Sequence, residues 1–254
     1  MEAISMKLTQ RLYSIQVMLA LAIPFIGLFP IYLILCQKEK WHIHAYKLNR
    51  LWAKIFFSLG GIPVEVEYRG KLDKNQQYIF CPNHSSFLDI PTIELNRHPF
   101  AFVGKSSIEK VPLFGYMYRK LHITVDRNNL KSRYESVLKS REAIDMGKSL
   151  VFFPEGGILT TSPPKMTRFK DGPFRVAIEK TIPLVPVTIP YNWIILPDNG
   201  KFLLNKKHKK VKIIFHEPIV TNGLTIDDLE YLKKKTFDTI DSELKKQQTY
   251  EDQR

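Results

Sequence analysis

The chain has 254 residues, enough for one α/β domain and an additional segment. Its formal net charge of +13 favours an anionic partner, which means nucleic acid, a membrane surface or a phosphorylated substrate. No recognition-helix, zinc-finger or RNA-binding pattern accompanies this charge, so nucleic acid is not the expected partner. Two cysteines cannot form a disulfide framework, and no Cys/His cluster has metal-site spacing, so no metal is expected. A basic run at 205–212 is either a solvated loop or a contact for anionic lipid or an acidic carrier protein.

The N-terminal region, residues 1–60, is predicted to associate with a membrane. It contains an uncharged apolar stretch, 12–36, which is long enough to cross a bilayer, although Pro24 and Pro30 are expected to kink or break a helix there. A basic amphipathic helix is predicted over 38–58, where aromatic residues recur at helical spacing between Lys and Arg. The region therefore either spans the bilayer or lies in one leaflet. Because more Lys and Arg follow the apolar stretch than precede it, the rest of the protein is predicted to lie on the cytoplasmic side.

The remaining residues, 61–254, are predicted to form one catalytic domain of the α/β class. Short apolar runs typical of strands alternate there with helical patterns, which predicts a central, mostly parallel sheet flanked by helices. The predicted strands are 64–68, 78–80, 100–103, 122–125, 149–153, 183–189 and 211–215. Helices are predicted at 133–146 and from a capping box at Thr225 to about Lys246, followed by a polar tail.

Charged residues follow four of the predicted strands at the point where each strand ends. The candidate site residues at these ends are His84, Asp89, Lys105, Arg127, Glu155 and Gly156. In an open α/β sheet the carboxyl ends of the strands face the ligand crevice. These residues are therefore predicted to lie near one another at that edge of the sheet.

The sequence "CPNHSSFLD" places an Asp five residues after a His. If the chain bends through a turn between them, Asp89 can bind one ring nitrogen of His84 and leave the other free to act as a base. The chain contains no G-x-S-x-G elbow, so a serine nucleophile lacks its usual geometry. The spacing alone also fits the capped start of a helix. As a catalytic pair, the two residues predict base activation of a substrate hydroxyl without a covalent enzyme intermediate.

Four stretches of the domain resemble, in order and spacing, the four blocks of the glycerolipid acyltransferase family. They are "PNHSSFLDI", "GKSSIEKVPLFGYMYRKLHITVDR", "FPEGG" and "IPLVPVTI". Within the family they are most similar to the 1-acylglycerol-3-phosphate (lysophosphatidic acid) acyltransferases. The resemblance covers about residues 60–220.

This resemblance implies transfer of an acyl chain from a thioester, acyl-CoA or acyl carrier protein, to the free hydroxyl of 1-acylglycerol 3-phosphate, giving phosphatidic acid. It implies that His84 is the general base and that Asp89 orients it. The residues that it implies for acceptor binding are Lys105, Arg127, Glu155 and Gly156. The implied partners are the membrane lipid bilayer, the lysophospholipid acceptor and the thioester donor, which is a substrate, so no cofactor is expected.

The third block departs from the family pattern. It usually reads E-G-T-R, but this chain has Gly157 and Ile158 in place of the Thr and the Arg. Lys165, Arg168 or Lys170 could replace the missing Arg in holding a phosphate. Otherwise the acceptor differs, for example an amino-acid-derived lipid with a free hydroxyl, or the acyl chain comes from a phospholipid. A membrane-bound lipid-binding protein that has lost catalysis is the alternative from another functional class.

Overall fold

The computed structural model describes residues 2–200, 202–205 and 210–252. The helices within these residues are α1 (Glu2–Leu35), α2 (His42–Leu59), α3 (Asp89–Ile93), α4 (Phe114–Leu121), α5 (Leu130–Asp145), α6 (Gly172–Glu179), α7 (Asn192–Ile195) and α8 (Leu229–Asp252). The strands are β1 (Val64–Tyr68), β2 (Ile79–Pro82), β3 (Phe100–Lys105), β4 (Ile123–Val125), β5 (Ser149–Phe152), β6 (Leu184–Thr188) and β7 (Val211–Phe215).

The seven strands form one sheet in the order β1-β7-β6-β2-β5-β3-β4. Every neighbouring pair is parallel except β6 and β7. The central strand β2 is fully buried and lies between β5 and β6, with Phe80 opposite Val151 and Val185. Continuous apolar runs are typical of such strands because both of their faces are covered. The predicted mostly parallel sheet flanked by helices is therefore confirmed.

Several helix boundaries differ from those predicted. Helix α5 begins three residues earlier than predicted, where Asn129 caps it by accepting from the Ser132 amide at 3.1 Å. The capping box at Thr225 is present, but α8 continues to Asp252, so the expected polar tail is helical up to that residue. Residues 206–209 of the basic run lie outside the described residues.

Helix α1 passes through both of its prolines without a break, contrary to the expectation. Contacts along its length hold it against the rest of the chain. Trp52 of α2 donates to the Leu21 carbonyl at 3.0 Å, and Gln10 donates to the Leu204 carbonyl at 3.1 Å. Tyr32, near the other end of the helix, donates to Asn49 of α2 at 2.6 Å. Since residues near both ends of α1 contact other parts of the chain, the helix lies along α2 and the segment around Leu204.

One face of α1 is nevertheless apolar and exposed. Leu8–Leu35 is long and apolar enough to cross a membrane by length and composition. The buried face packs into the core, and the outward face carries exposed Leu12, Ile15, Leu19, Ile23, Ile26 and Ile34. Contiguous apolar surface of this kind marks contact with a membrane or with another protein.

A buried polar relay joins the N-terminal helices to the segment after α3. Tyr32 donates to Asn49, and Asn49 in turn donates to Glu94 at 3.1 Å. Glu94 is only 6% exposed, and burial raises its pKa from about 4.5 to about 8. The carboxyl group is therefore mainly protonated at neutral pH, which avoids an unpaired buried charge.

The raised pKa of Glu94 makes stability depend on pH. The folded state binds this proton more tightly than the unfolded state, so the stabilisation is complete below pH 4.5 and is lost as pH rises towards 8. We expect Glu94→Gln to remove a fall of roughly 2–4 kcal/mol in unfolding free energy between pH 5 and pH 8. Denaturant titrations of wild type and Glu94→Gln measure the difference, with exposed Glu217→Gln as the matched control. Identical slopes in all three proteins would contradict the assignment.

Candidate active site

The turn that the His–Asp spacing requires lies between β2 and α3. Strand β2 ends at Pro82, and α3 begins at Asp89. Between them the chain bends so that His84 Nδ1 lies 2.9 Å from Asp89 Oδ2. The structure therefore brings the two predicted catalytic residues together at the carboxyl end of the central strand.

Asp89 is completely buried and accepts several hydrogen bonds. The backbone amides of Ser85 and Ser86 donate to its Oδ2 at 2.8 and 2.9 Å. An ionised carboxylate can only accept hydrogen bonds, so Nδ1 of His84 is the donor in its contact with Asp89. The Nε2 of His84 then keeps its lone pair. The imidazole is also fixed by stacking on Phe153, with ring centroids 4.0 Å apart.

The two serines after His84 are not arranged as nucleophiles. The Ser86 hydroxyl donates to the Leu196 carbonyl at 2.7 Å, and the Ser85 hydroxyl has no partner among the described residues. Neither hydroxyl is hydrogen-bonded to the imidazole. The geometry matches the expectation from sequence that a Ser–His nucleophile is absent.

Asn192 also orients the pair, and the sequence analysis missed it. This residue begins α7, is completely buried, and donates through Nδ2 to Asp89 Oδ1 and to Thr92 Oγ1, both at 2.9 Å. It therefore holds the carboxylate oxygen that faces away from the imidazole. Its position in the sequence could have indicated a role in the site. Asn192 lies six residues after Pro186 and follows β6, another strand that ends at the same edge of the sheet.

We expect Asn192→Ala to lower kcat about tenfold with little change in KM. Loss of one buried hydrogen bond to a charged group costs about 1.5 kcal/mol, which corresponds to roughly a tenfold change in rate. Steady-state kinetics measure the split, and Asn75→Ala, the same change at an exposed site, is the control. If kcat is unchanged and KM rises instead, Asn192 does not act through Asp89.

Glu155 binds the backbone of the His84 segment. It is 1% exposed, its Oε1 accepts from the His84 amide at 2.8 Å, and its Oε2 accepts from the amide and hydroxyl of Thr167 at 2.8 and 3.0 Å. Burial raises the pKa of this carboxyl, although these hydrogen bonds act in the opposite direction. Both oxygens are thus occupied by protein groups. The contact with His84 was not predicted from the sequence.

Arg127 lies against the glycine turn that follows Glu155. A Cβ atom added to Gly157 would lie 3.3 Å from the Arg127 Nη1, and Lys170 packs on the neighbouring Gly156. Arg127 is half-buried, and the loss of solvent contact lowers its pKa from the ordinary arginine value. Of the three basic residues considered as replacements for the missing Arg, Lys170 is therefore the one seen beside this turn.

Lys105 and Arg127 lie at the ends of adjacent strands. Lys105 closes β3 and is paired in register with Val125, two residues before Arg127. Within the part of the chain that the structure describes, neither cation has a carboxylate at ion-pair distance. Both positive charges are therefore available to an anionic ligand near the carboxyl edge of the sheet.

Comparison with known proteins identifies the family. The family model described as "Acyltransferase" matches residues 63–190, which is half of the chain. A 1-acyl-sn-glycerol-3-phosphate acyltransferase of Saccharomyces cerevisiae is 32% identical, over 92% of this chain and 77% of the yeast protein. The chain belongs to the acyltransferase family. All six residues predicted for the site lie inside the matched region of this acyltransferase, and Asn192 lies two residues beyond it.

Other similar acyltransferases differ more in length or sequence. A chloroplastic 1-acyl-sn-glycerol-3-phosphate acyltransferase of Arabidopsis thaliana is 29% identical over 80% of this chain, which spans 54% of that protein. The chain spans 40% and 42% of the relatives from Brassica napus and Chlamydomonas reinhardtii. The crystal structure of the lysophosphatidic acid acyltransferase PlsC from Thermotoga maritima matches with a TM-score of 0.76 and 23% identity, over 95% of this chain and 97% of that one. The last comparison shows a shared fold that includes the N-terminal helices.

Proposed function

We propose that this acyltransferase moves an acyl chain from a thioester donor to the free hydroxyl of 1-acylglycerol 3-phosphate and forms phosphatidic acid. The observation that carries the proposal is the 2.9 Å contact between His84 Nδ1 and Asp89, which leaves Nε2 free as a base. The relatives from yeast and Arabidopsis, which are named for this reaction, support the choice of acceptor.

In the proposed reaction the acceptor hydroxyl gives its proton to His84 Nε2 as its oxygen attacks the thioester carbonyl. The Asp89 carboxylate stabilises the imidazolium that forms. The carbon–sulfur bond then breaks, the thiolate leaves, and the imidazolium returns the proton to the sulfur. An ester and a free thiol are the products, and His84 is again neutral. Glu155 is a positioning residue here, because it holds the His84 backbone and has no free oxygen.

The acceptor phosphate is proposed to bind at Arg127 and Lys105. A guanidinium offers a phosphate two parallel donors, and an ammonium adds a point charge. Gly157 gives Arg127 room, since a side chain at this position would approach its guanidinium within 3.3 Å. On this proposal Arg127 and Lys170 bind the phosphate in place of the Arg that the third block lacks. Gly157, which stands where the family has Thr, leaves space for the Arg127 guanidinium.

We expect Arg127→Gln to raise KM for the phosphate-bearing acceptor by about 10- to 100-fold and to change KM for the donor little. A charge-assisted hydrogen bond contributes about 1.5–3 kcal/mol, which sets this range. Arg133→Gln, which makes the same change at an exposed position on α5, is the control for net charge. Equal effects of the two substitutions on acceptor KM would contradict the specific role of Arg127.

Membrane association supports a lipid acceptor. The exposed apolar face of α1 gives the protein a surface that can rest on a bilayer, and basic α2 follows it. Since the helix contacts the rest of the chain near both ends, we propose that it lies in one leaflet with the domain on the cytoplasmic side. An enzyme on the membrane meets an acceptor that is already dissolved there.

A phosphate-free acceptor is the second candidate, and the observation that favours it is the absence of the Thr and Arg from the third block. Thiol release from acyl-CoA by the purified protein tests both candidates, with lysophosphatidic acid and a hydroxylated N-acyl amino acid as parallel acceptors. Release only with the phosphate acceptor supports the first candidate. Release only with the other acceptor transfers the proposal to the second. If neither acceptor nor either type of donor gives release, the protein is a lipid-binding relative without catalysis.

A further inference from the structure

A basic cavity lies between α2 and the segment that leads into β3. Its volume is about 340 Å³, at the lower end of the range for small-molecule sites. Four cations line it, namely Lys47, Arg50 and Lys54 of α2 and Arg97. Among the described residues, none of these four has a carboxylate within 4.0 Å. The cavity thus has an excess of positive charge that the described part of the protein does not neutralise.

This basic cavity is separate from the candidate active site. It is lined by Phe100, the first residue of β3, whereas Lys105 ends the same strand at the catalytic edge. A strand rises about 3.3 Å per residue, so the two ends lie roughly 17 Å apart. The cavity therefore opens at the amino edge of the sheet, and the reaction derived above does not use it.

Two residues that line the cavity, Asn96 and Arg50, carry buried donors without a partner among the described residues. Asn96 is only 3% exposed, and its amide oxygen accepts from the Tyr68 hydroxyl and the His98 amide, both at 3.1 Å. These two bonds fix the orientation of the amide, and its Nδ2 is buried without an acceptor. The Nε of Arg50 is also buried and unpaired. Buried donors without acceptors cost free energy, so a ligand that accepts hydrogen bonds is favoured if it enters between these two side chains.

The only carboxyl group lining the cavity among the described residues does not oppose an anion. Glu94 accepts from Asn49, and burial raises its pKa to about 8, so at neutral pH it is mainly uncharged. Arg97 is held on the rim with its guanidinium 5.0 Å from the centre of the Tyr68 ring. The cavity therefore combines four cations with an uncharged carboxyl group and the neutral Asn96 amide.

We infer that this cavity is a binding site for a phosphate group, distinct from the acceptor site. Two guanidiniums, two ammoniums and the neutral Asn96 amide suit the several oxygens and the double charge of a phosphate better than they suit a single carboxylate. Exposed Leu51 also lines the cavity, so a phosphate with an apolar substituent fits as well. The phosphate comes either from an anionic lipid headgroup or from a free phosphate compound. The inference does not depend on the proposed function.

Thermal unfolding of the full chain in detergent tests the site in two arms. One arm titrates inorganic phosphate at constant ionic strength, and the other replaces phosphatidylcholine by phosphatidylglycerol in mixed micelles. We expect a saturable rise in Tm of about 5–11 °C at a hundredfold excess over Kd in at least one arm. A rise with inorganic phosphate identifies a free phosphate as sufficient, and a rise only with phosphatidylglycerol identifies a lipid headgroup.

Matched double variants separate the cavity from general charge effects. The rise is expected to disappear in Arg50→Gln/Lys54→Gln and to remain in Arg133→Gln/Lys139→Gln, which removes the same charge from exposed positions on α5. All of these proteins carry Arg127→Gln as well, so that the proposed acceptor site does not contribute to the rise. If Arg50→Gln/Lys54→Gln does not fold, Lys47→Gln/Arg97→Gln takes its place, because it changes only exposed side chains of the cavity. The rise in Tm is expected to disappear in this variant too. The inference is overturned if Tm shows no saturable rise in either arm. It is also overturned if the rise in Tm is the same, or is lost to the same extent, in the cavity variants and the control variant.

Discussion

His84→Ala is expected to lower the rate of acyl transfer by about 10²- to 10⁴-fold, the usual contribution of a general base. The alanine has no group to take the proton from the acceptor hydroxyl. The backbone contact of this residue with Glu155 does not involve the side chain, so the loop should keep its position. Asp89 also retains its bonds from the amides of Ser85 and Ser86. We therefore expect a folded and inactive protein.

Single-turnover thiol release measures the chemical step of this variant. His44→Ala is the matched control, because this histidine is exposed on α2 and far along the chain from the site. Circular dichroism and thermal unfolding should show the same folded state for both variants. A His84→Ala protein that releases thiol at a rate near that of wild type would mean that another group is the base.

Asp89→Asn is expected to reduce kcat by about 10²- to 10⁴-fold with KM for both substrates nearly unchanged. An amide oxygen at the Oδ2 position can still accept from the imidazole, but it carries no charge to stabilise the imidazolium. The amide nitrogen at the other position would then meet the Nδ2 donor of Asn192, now 2.9 Å from that oxygen. The substitution thus removes charge and disturbs the orientation of the pair.

The folded fraction of the variant distinguishes this role from a structural one. Loss of the carboxylate beside the imidazole should lower kcat per folded molecule, whereas a merely destabilised protein would keep the wild-type kcat once the folded fraction is counted. Asp198→Asn makes the same change at an exposed site and should behave as wild type. An Asp89→Asn enzyme with the wild-type kcat per folded molecule would show that Asp89 does not act on His84.

The strands were predictable because the sheet is buried on both faces. Apolar runs such as 149–153 and 211–215 cover the observed strands β5 and β7 to within one residue. The order of strands was not predictable, since pairing joins segments far apart in the chain, such as β1 with β7. The antiparallel pairing of β6 with β7 was likewise not predictable, because the sequences of the two strands do not indicate their relative direction.

The site was predictable where its contacts are local. The spacing of His84 and Asp89 limits how they can meet, and a single turn brings them together. Asn192 and Glu155 act on this pair from about 100 and 70 residues further along the chain, so their contacts depend on the packed sheet. The resemblance to a family located Glu155 but not its bond to the His84 backbone.

The prolines of α1 show the limit of local rules. Pro24 and Pro30 predict an interrupted helix, yet the contacts of α1 with α2 and with Leu204 accompany one continuous helix. Packing against neighbours compensates for a lost helical hydrogen bond, as it does in membrane-associated helices. The boundary between residues 1–60 and the catalytic domain stays a prediction, although hydrogen bonds join α1 and α2 to Leu204, Leu121 and Glu94.

The most direct test of the account is whether the purified protein converts lysophosphatidic acid and acyl-CoA into phosphatidic acid. The measurement is mass spectrometry of the lipid product together with thiol release, for wild type and His84→Ala in parallel. The proposed reaction predicts phosphatidic acid and thiol in equal amounts from wild type and neither from the variant. Equal product from both proteins, or thiol release by wild type without phosphatidic acid, would contradict it.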